Sequence, residues 1–163
     1  MIIMAQPIKN SKIKKPRKKP SRQIAGKRRH KEYGTSKLEE TFAKEFLDKL
    51  DVDYVYQFKA EEIGRYYDFC VITKSGSKVL VEVDGDYYHG YGKVWEEKNP
   101  MQKHNEYVDR IKDEWALARG IPIIRIWEHD IRNNPGKVMK TLKESLGNYD
   151  EKYSRKKEKN KRH

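Results

Sequence analysis

Two apolar runs on either side of residues 74–77 constrain the fold more than any other part of the sequence. Residues 66–73 read YYDFCVIT and Lys78–Asp84 read KVLVEVD, with the polar segment KSGS between them. Alternating β-branched and aromatic residues are typical of strands, and a short polar segment with glycine is typical of a turn. The pattern predicts a β-hairpin. Its strands carry acids at positions where a buried face would be apolar.

A helix is predicted immediately before the strands, over residues 36–51. Ser36 can cap its first turn, and Glu39, three residues later, completes a capping-box pattern. Apolar residues then recur every four positions, at Leu38, Phe42, Phe46 and Leu50. This spacing places them on one helical face.

The remaining elements complete the order helix-strand-strand-strand-helix-strand-helix. A strand is expected at residues 54–59, a helix at 105–119, a strand at 121–127 and a helix at 135–146. The second helix should turn Val108, Ile111, Trp115 and Ala118 inward. The run 121–127 suits a central strand, with Pro122 at its first position or on an edge. A helix between the third and fourth strands predicts that they are parallel. The fold class is therefore α/β, with a mixed sheet.

Positive charge is concentrated at the two ends of the chain. Residues 1–32 have a net charge of +11 and residues 150–163 of +4, whereas residues 33–149 have −3. We expect a domain over 33–149 between a basic disordered arm (1–32) and a basic disordered tail (150–163). Such tails favour nucleic acid as a partner, although a solubilising role, RNA or an anionic membrane would also suit the charge.

The chain contains a single cysteine, Cys70, and no long apolar run. An intramolecular disulfide and a cysteine zinc cluster are therefore excluded. No segment is expected to span a membrane, and an intracellular location, in bacterial or host cytoplasm, is the expectation.

Three carboxylates on the predicted hairpin are candidate metal ligands. Glu82 and Asp84 are two residues apart on one strand and therefore share a face. If Asp68 on the partner strand faces the same way, three like charges converge, and a hard cation such as Mg²⁺ (or Mn²⁺) would neutralise them. The alternative is that one or two of these acids lie on a solvent-exposed sheet face.

A histidine follows the carboxylates after a short connection. Gly85 allows the chain to bend out of the sheet, and His89 could then return over the acids. Histidine titrates near neutrality and can serve as general base or general acid. The alternative is a surface or core histidine without a catalytic role.

Ordered motifs between residues 36 and 146 resemble one nuclease family. Residues 36–39 read SKLE, 67–69 read YDF and 82–89 read EVDGDYYH, and these are followed by DRIK at 109–112 and IIRIWE at 123–128. The pattern is similar to very-short-patch-repair-type endonucleases, a branch of the PD-(D/E)xK superfamily. It also resembles phage homing endonucleases with the Glu-Asp-x-His-Asp signature and related hypothetical endonucleases. The resemblance implies a restriction-endonuclease-like core.

The resemblance also implies roles for individual residues. Asp68 and Glu82 match the metal-binding carboxylates, and Asp84 stands where many superfamily members have lysine. His89 matches a catalytic histidine, and Glu39 matches a glutamate of the first helix. Glu39 could instead be only a cap, and Glu40 could take its place in the site. Asp109 and Lys112 either contact the site or form salt bridges on a helix surface, and we favour the surface interpretation. The structural zinc of the repair enzyme has no counterpart.

Together these features predict a Mg²⁺-dependent endonuclease acting on duplex DNA, and the resemblance and the compact size imply the freestanding phage homing type. Mismatch-nicking repair, cleavage of branched DNA and a catalytically inactive DNA-binding protein are the alternatives. The protein would act as a monomer or as a homodimer on DNA. The aromatic residues that follow the bend, Tyr87, Tyr88, Tyr91 and Trp95, could contact bases or cover the end of the sheet.

Overall fold

A four-stranded mixed sheet forms the centre of the protein. The structure is a computed structural model that describes residues 36–161, so the predicted arm at 1–32 lies outside the described residues. The strands are β1 (Asp53–Ala60), β2 (Arg65–Ile72), β3 (Lys78–Asp84) and β4 (Ile123–Trp127), in that spatial order. β1, β2 and β3 pair antiparallel, and β3 pairs with β4 in parallel. The predicted mixed sheet is confirmed.

Within the part of the chain that the structure describes, five helices surround this sheet. Helix α1 begins as Lys37–Phe42, continues through a π-helical turn at Ala43–Leu47 and ends with Asp48–Leu50. The others are α2 (Asp86–His89), α3 (Pro100–Ala118), α4 (Glu128–Asn133) and α5 (Pro135–Lys161), with short 3-10 turns at Glu61–Ile63 and Trp95–Glu97. The predicted order of the long elements is confirmed, whereas the short helices α2 and α4 were not predicted. Within residues 36–161, no helix is both long and apolar enough to cross a membrane.

The first helix follows its sequence pattern closely. The Ser36 hydroxyl accepts a hydrogen bond from the Glu39 backbone N–H at 3.1 Å and donates to Glu39 Oε1 at 3.0 Å. Phe42 and Phe46 are buried, and their rings stack with centroids 5.2 Å apart. The helix ends at Asp51, whose φ of 54° is left-handed. The predicted Ser36 cap, apolar face and end are therefore present, with the Glu39 carboxylate bonded to the Ser36 hydroxyl.

The sheet is covered on both faces. On one face, α1, α4 and α5 cover a large apolar core. Members of this core from the sheet include Phe69, Val71, Val79, Val81, Val83, Ile124 and Ile126. On the other face, Trp115 and Ala116 of α3 pack on Tyr67, Cys70 and Leu80. This second core is smaller because Glu82, Asp84 and Arg125 occupy the same face beyond it.

Three predictions about α3 and β4 need correction. Helix α3 begins at Pro100, not near residue 105, because Asn99 caps it in a reciprocal capping box with Gln102. Its predicted inward residue Ala118 is exposed, and Lys112 is buried instead. The run predicted as a central strand is β4 at the edge of the sheet. Pro122 lies just before β4, so its lack of a backbone N–H does not interrupt the hydrogen bonds between β3 and β4.

The predicted disordered tail is also corrected. Residues 150–161 continue α5, a helix of 27 residues that ends at Lys161. Its first half buries Val138, Leu142 and Leu146, as predicted. The second half is held by polar contacts, since Ser75 N–H donates to Asp150 Oδ1 at 2.8 Å and Lys157 Nζ donates to the Ser75 carbonyl at 2.9 Å. These bonds supply tertiary contacts that composition alone does not indicate.

Replacing Asp150 by alanine should lower the free energy of unfolding by about 1 kcal/mol, the usual net value of a lost hydrogen bond. Hydrogen bonds from Thr73 and Ser75 lower the pKa of Asp150 below its ordinary value of 3.8. The stabilisation is therefore complete above pH 3.8 and lost as the pH falls through the lowered pKa. Urea titration at neutral and acidic pH measures both effects. Glu151→Ala, at an exposed neighbouring position, is the control, and an equal loss in both variants would contradict the prediction.

Candidate active site

Two acids of β3 lie side by side beneath α3. Glu82 and Asp84 are 4% and 3% exposed and share one face of the strand, as predicted, while Val81 and Val83 enter the large core. Each acid has a cation beside it. Lys112 Nζ of α3 lies 2.5 Å from Glu82 Oε1, and Arg125 of β4 donates to Asp84 Oδ1 at 3.2 Å. The two carboxylates are therefore buried and paired.

Asp68 lies where β2 leaves the ladder with β3. The last paired residues are Phe69 and Val81, and the Val83 backbone N–H donates to Asp68 Oδ2 at 2.8 Å. The Asp68 carboxylate thus accepts a hydrogen bond that a backbone carbonyl would otherwise accept, and this bond joins β2 to β3. Burial raises the pKa of Asp68 well above its ordinary range, and the negative charges of Glu82 and Glu39 raise it further.

The acids of β3 are also costly to ionise. Burial raises the pKa of Glu82 to about 7, although the charge of Lys112 opposes the shift. Burial likewise raises the pKa of Asp84 against the opposing charges of Arg125 and His89. Neighbouring carboxyl groups with raised pKa values make this cluster a candidate functional site.

His89 lies on the short helix α2, which follows β3 after Gly85. Its Nδ1 is 2.8 Å from Asp109 Oδ2 of α3, and its Nε2 is 3.8 Å from Asp84 Oδ1. A carboxylate can only accept, so Nδ1 carries the hydrogen and Nε2 holds the lone pair of the neutral ring. Burial lowers the pKa of His89, but the bond to Asp109 and the charge of Asp84 outweigh it and raise the pKa above 6.5.

Side chains of α3 fix the segment that carries His89. Gln102, 1% exposed, donates through Nε2 to the Tyr87 carbonyl at 2.6 Å. Asn105 donates through Nδ2 to the Tyr88 carbonyl at 2.8 Å. These two bonds hold α2 against α3, so His89 stays above Asp84. Neither amide was identified from the sequence.

Glu39 reaches the same site from α1. Its Oε2 accepts hydrogen bonds from the Tyr56 hydroxyl at 2.8 Å and from Gln57 Nε2 at 3.3 Å. The adjacent Glu40 does not line the cleft. Glu39 is therefore both a cap partner of Ser36 and a member of the site.

All five predicted catalytic residues line one cleft of about 490 Å³. We call it the acidic cleft, and its polar lining includes Glu39, Asp68, Glu82, Asp84, His89, Asn105, Asp109 and Lys112. It opens where β3 and β4 end side by side. Across residues 36–161, no set of three or more His, Cys, Asp and Glu side chains is arranged to hold a metal ion.

The interpretation of Asp109 and Lys112 as surface residues is wrong. Lys112 is 7% exposed and Asp109 is partly buried, and both contact site residues. A sequence signal was available, because Gln102, Asn105, Asp109 and Lys112 recur at helical spacing along one side of α3. Arg125 was also missed, because it is a single polar residue flanked by Ile124 and Ile126 in an otherwise apolar strand.

The aromatic residues around the cleft divide into two groups. Tyr87 and Tyr88 are 66% and 60% exposed. Tyr91 instead stacks on His129 with centroids 4.6 Å apart and meets the Trp127 ring at 5.1 Å. Tyr91 therefore covers the end of β4, whereas Tyr87 and Tyr88 face outward and remain candidates for contact with a ligand.

Comparisons of the chain with protein-family models, with curated proteins and with solved structures gave no match. The assignment of a function therefore depends on the geometry and chemistry of the acidic cleft.

Proposed function

We propose that this protein is a metal-dependent endonuclease that hydrolyses phosphodiester bonds in duplex DNA. The observation that carries the proposal is the meeting of Asp68, Glu82 and His89 in one cleft, where the pKa of each is raised. We further propose a restriction-endonuclease-like core of the very-short-patch-repair type and the role of a freestanding phage homing endonuclease. Those finer assignments depend on the motif resemblance.

The chemistry of the carboxylates suits a hard divalent cation. Asp68 and Glu82 offer oxygen ligands, with Asp84 close by, and such ligands suit Mg²⁺ or Mn²⁺. Glu82 Oε1 is buried, and Lys112 Nζ is its ion-pair partner. Repulsion between Asp68 and Glu82 would be relieved by a cation. When bound, the metal would polarise the scissile phosphate and acidify a water molecule.

The side chains around the carboxylates have separate tasks in this proposal. His89 accepts a proton from the attacking water at Nε2, because Asp109 fixes the hydrogen on Nδ1. Lys112 Nζ, already in the cleft, attracts a phosphate oxygen. Asp109 is a positioning residue that sets the tautomer and orientation of His89.

The basic ends of the chain would add affinity for the DNA backbone. Since the middle of the chain is slightly acidic, the proposed division of labour places affinity in the ends and chemistry in the acidic cleft. We propose that the enzyme acts inside the cell, where its substrate lies, as a monomer or a homodimer. Mismatch nicking and cleavage of branched DNA are variants of the same chemistry.

A second candidate function is DNA binding without catalysis. Two ion pairs favour it, because Lys112 and Arg125 already neutralise Glu82 and Asp84. A protein that had lost its metal could retain such pairs. The two candidates differ in a simple respect, since only the nuclease breaks covalent bonds.

Incubation of the full chain with supercoiled plasmid and Mg²⁺ should produce nicked or linear DNA, and EDTA should prevent it. His89→Ala should slow cleavage about 10²- to 10⁴-fold, the usual contribution of a general acid or base. His104→Ala is the matched control, because His104 is an exposed residue of α3 outside the cleft. If His89→Ala and His104→Ala both cut at the wild-type rate, the role of His89 is wrong. If the wild type cuts no DNA with Mg²⁺ or Mn²⁺, the binding function is favoured.

Asp109→Asn should slow cleavage about 10- to 100-fold, a smaller loss than that of His89→Ala. The amide can donate to Nδ1 and so favours the wrong tautomer of His89. The rate of plasmid cleavage over a range of pH measures the effect. Asp109→Glu, which retains an acceptor, should recover part of the rate. Equal rates for Asp109→Asn and the wild type would contradict the positioning role.

A further inference from the structure

A second cleft, of about 650 Å³, lies at the opposite end of the sheet from the acidic cleft. The turn between β2 and β3, the loop after α3 and the second half of α5 form its walls. β3 runs from Lys78 in this cleft to Asp84 in the other, six residues away, which corresponds to about 20 Å. We call it the basic cleft, because its charged lining consists of Lys78, Arg119, Lys152 and Lys156.

The positive charge of the basic cleft is not compensated by its own lining. No aspartate or glutamate lines it. Within residues 36–161, Lys78, Lys152 and Lys156 take part in no ion pair, and only Arg119 is paired, with Glu62 outside the lining. Lys152 and Lys156 are one helical turn apart and lie on one side of α5. The cleft therefore presents several adjacent cations to an anionic ligand.

Aromatic and aliphatic side chains also line the basic cleft. Tyr153 is 37% exposed, and Leu117 on the opposite wall is 81% exposed. Lys157 Nζ lies 5.1 Å from the centroid of the Tyr153 ring and also donates to the Ser75 carbonyl. These contacts hold Tyr153 in place at the rim. Cations combined with an anchored aromatic ring are the features that bind single-stranded nucleic acid, through phosphates and a stacked base respectively.

We propose that the basic cleft binds a single strand of nucleic acid, separately from the acidic cleft. An anionic membrane suits the surface less well, because Tyr153 is the one exposed large apolar side chain of α5 within residues 135–161 and a membrane-bound helix needs an apolar face. The proposal does not require that the protein cleave DNA. A strand held here would lie at the far end of the sheet from the carboxylates.

The test is fluorescence anisotropy of the full chain with a labelled oligothymidylate of about 16 nucleotides, in EDTA, over a range of salt concentrations. The cleft variant is Lys78→Gln/Lys152→Gln/Lys156→Gln. The matched control is Lys137→Gln/Lys140→Gln/Lys143→Gln, which removes the same charge from exposed positions in the first half of α5. The cleft variant should reduce the slope of log affinity against log salt by about 2, at roughly 0.7 for each phosphate contact. Tyr153→Ala should weaken binding roughly tenfold relative to Tyr153→Phe.

Equal slopes for the cleft and control variants, each shown to be folded by thermal unfolding, would overturn the proposal. So would equal affinities for Tyr153→Ala and Tyr153→Phe. Binding to vesicles that contain anionic lipid is measured in parallel, because a membrane is the alternative ligand. A cleft variant that loses vesicle binding but keeps oligonucleotide binding would also overturn the proposal. Because these measurements contain no divalent ion and record no cleavage, their failure is distinct from a failure of the nuclease proposal.

Discussion

Replacing Asp68 by asparagine is expected to abolish DNA cleavage while making the protein more stable. The amide lacks the charge that would hold a cation, and a loss of several kcal/mol of transition-state stabilisation corresponds to about 10³-fold in rate. The carbonyl of asparagine can still accept from the Val83 N–H, so the bond between β2 and β3 survives. Repulsion of the Asp68 charge by Glu82 and Glu39 disappears. We expect the melting temperature without divalent ions to rise by about 2 to 4 °C.

Cleavage rates and thermal unfolding of the same preparations measure these two effects. Asp48→Asn is the control, since Asp48 lies at the end of α1 outside the acidic cleft and accepts from the Tyr54 hydroxyl. That variant should cut at the wild-type rate without gaining stability. A less stable Asp68→Asn would indicate that Asp68 is a structural residue, and unchanged cleavage would remove it from the active site.

Replacing Lys112 by methionine should lower the free energy of unfolding by about 2 to 3 kcal/mol. The Lys112 and Glu82 side chains are only 8% and 6% exposed, and removal of Lys112 leaves a buried carboxyl group that must take up a proton and has lost its polar partner. The double variant Glu82→Met/Lys112→Met should recover most of that loss, because it removes both charges and preserves volume. Urea unfolding of the single and double variants measures the coupling between the two residues.

An exposed ion pair gives the comparison for this prediction. Lys49 and Glu45 lie 2.7 Å apart with side chains 60% and 55% exposed, so Lys49→Met should cost less than about 1 kcal/mol. Similar losses for Lys112→Met and Lys49→Met would mean that the Lys112 ion pair is solvated. A double variant less stable than Lys112→Met would show that Glu82 has a structural partner besides Lys112.

Elements with strong periodic patterns could be predicted from the sequence. The hairpin of β2 and β3, helix α1 and the parallel pairing of β4 follow from alternation, from four-residue spacing and from the connection through α3. Glu82 and Asp84 were placed on one face because strand geometry requires it. The fold was more predictable than the site because apolar periodicity reports burial directly.

The residues missed are polar residues that face inward. Lys112 and Asp109 are buried or partly buried because they contact Glu82 and His89, partners brought near only by the tertiary fold. The second half of α5 was missed for a similar reason. Its composition suggests disorder, but Asp150 and Lys157 bind the turn at Ser75. In each case, a charged side chain is fixed by a contact distant in sequence.

The most direct test of the central claim is mapping of cleavage on an end-labelled DNA duplex. The full chain with Mg²⁺ should convert the labelled duplex into discrete shorter fragments, and Asp68→Asn should give none at equal protein concentration. The positions of the wild-type fragments would also show whether one strand or both strands of the duplex are cut. Fragments of equal yield from the wild type and Asp68→Asn, or binding of the duplex by the wild type without any fragment, would contradict the assignment of the acidic cleft as a nuclease centre.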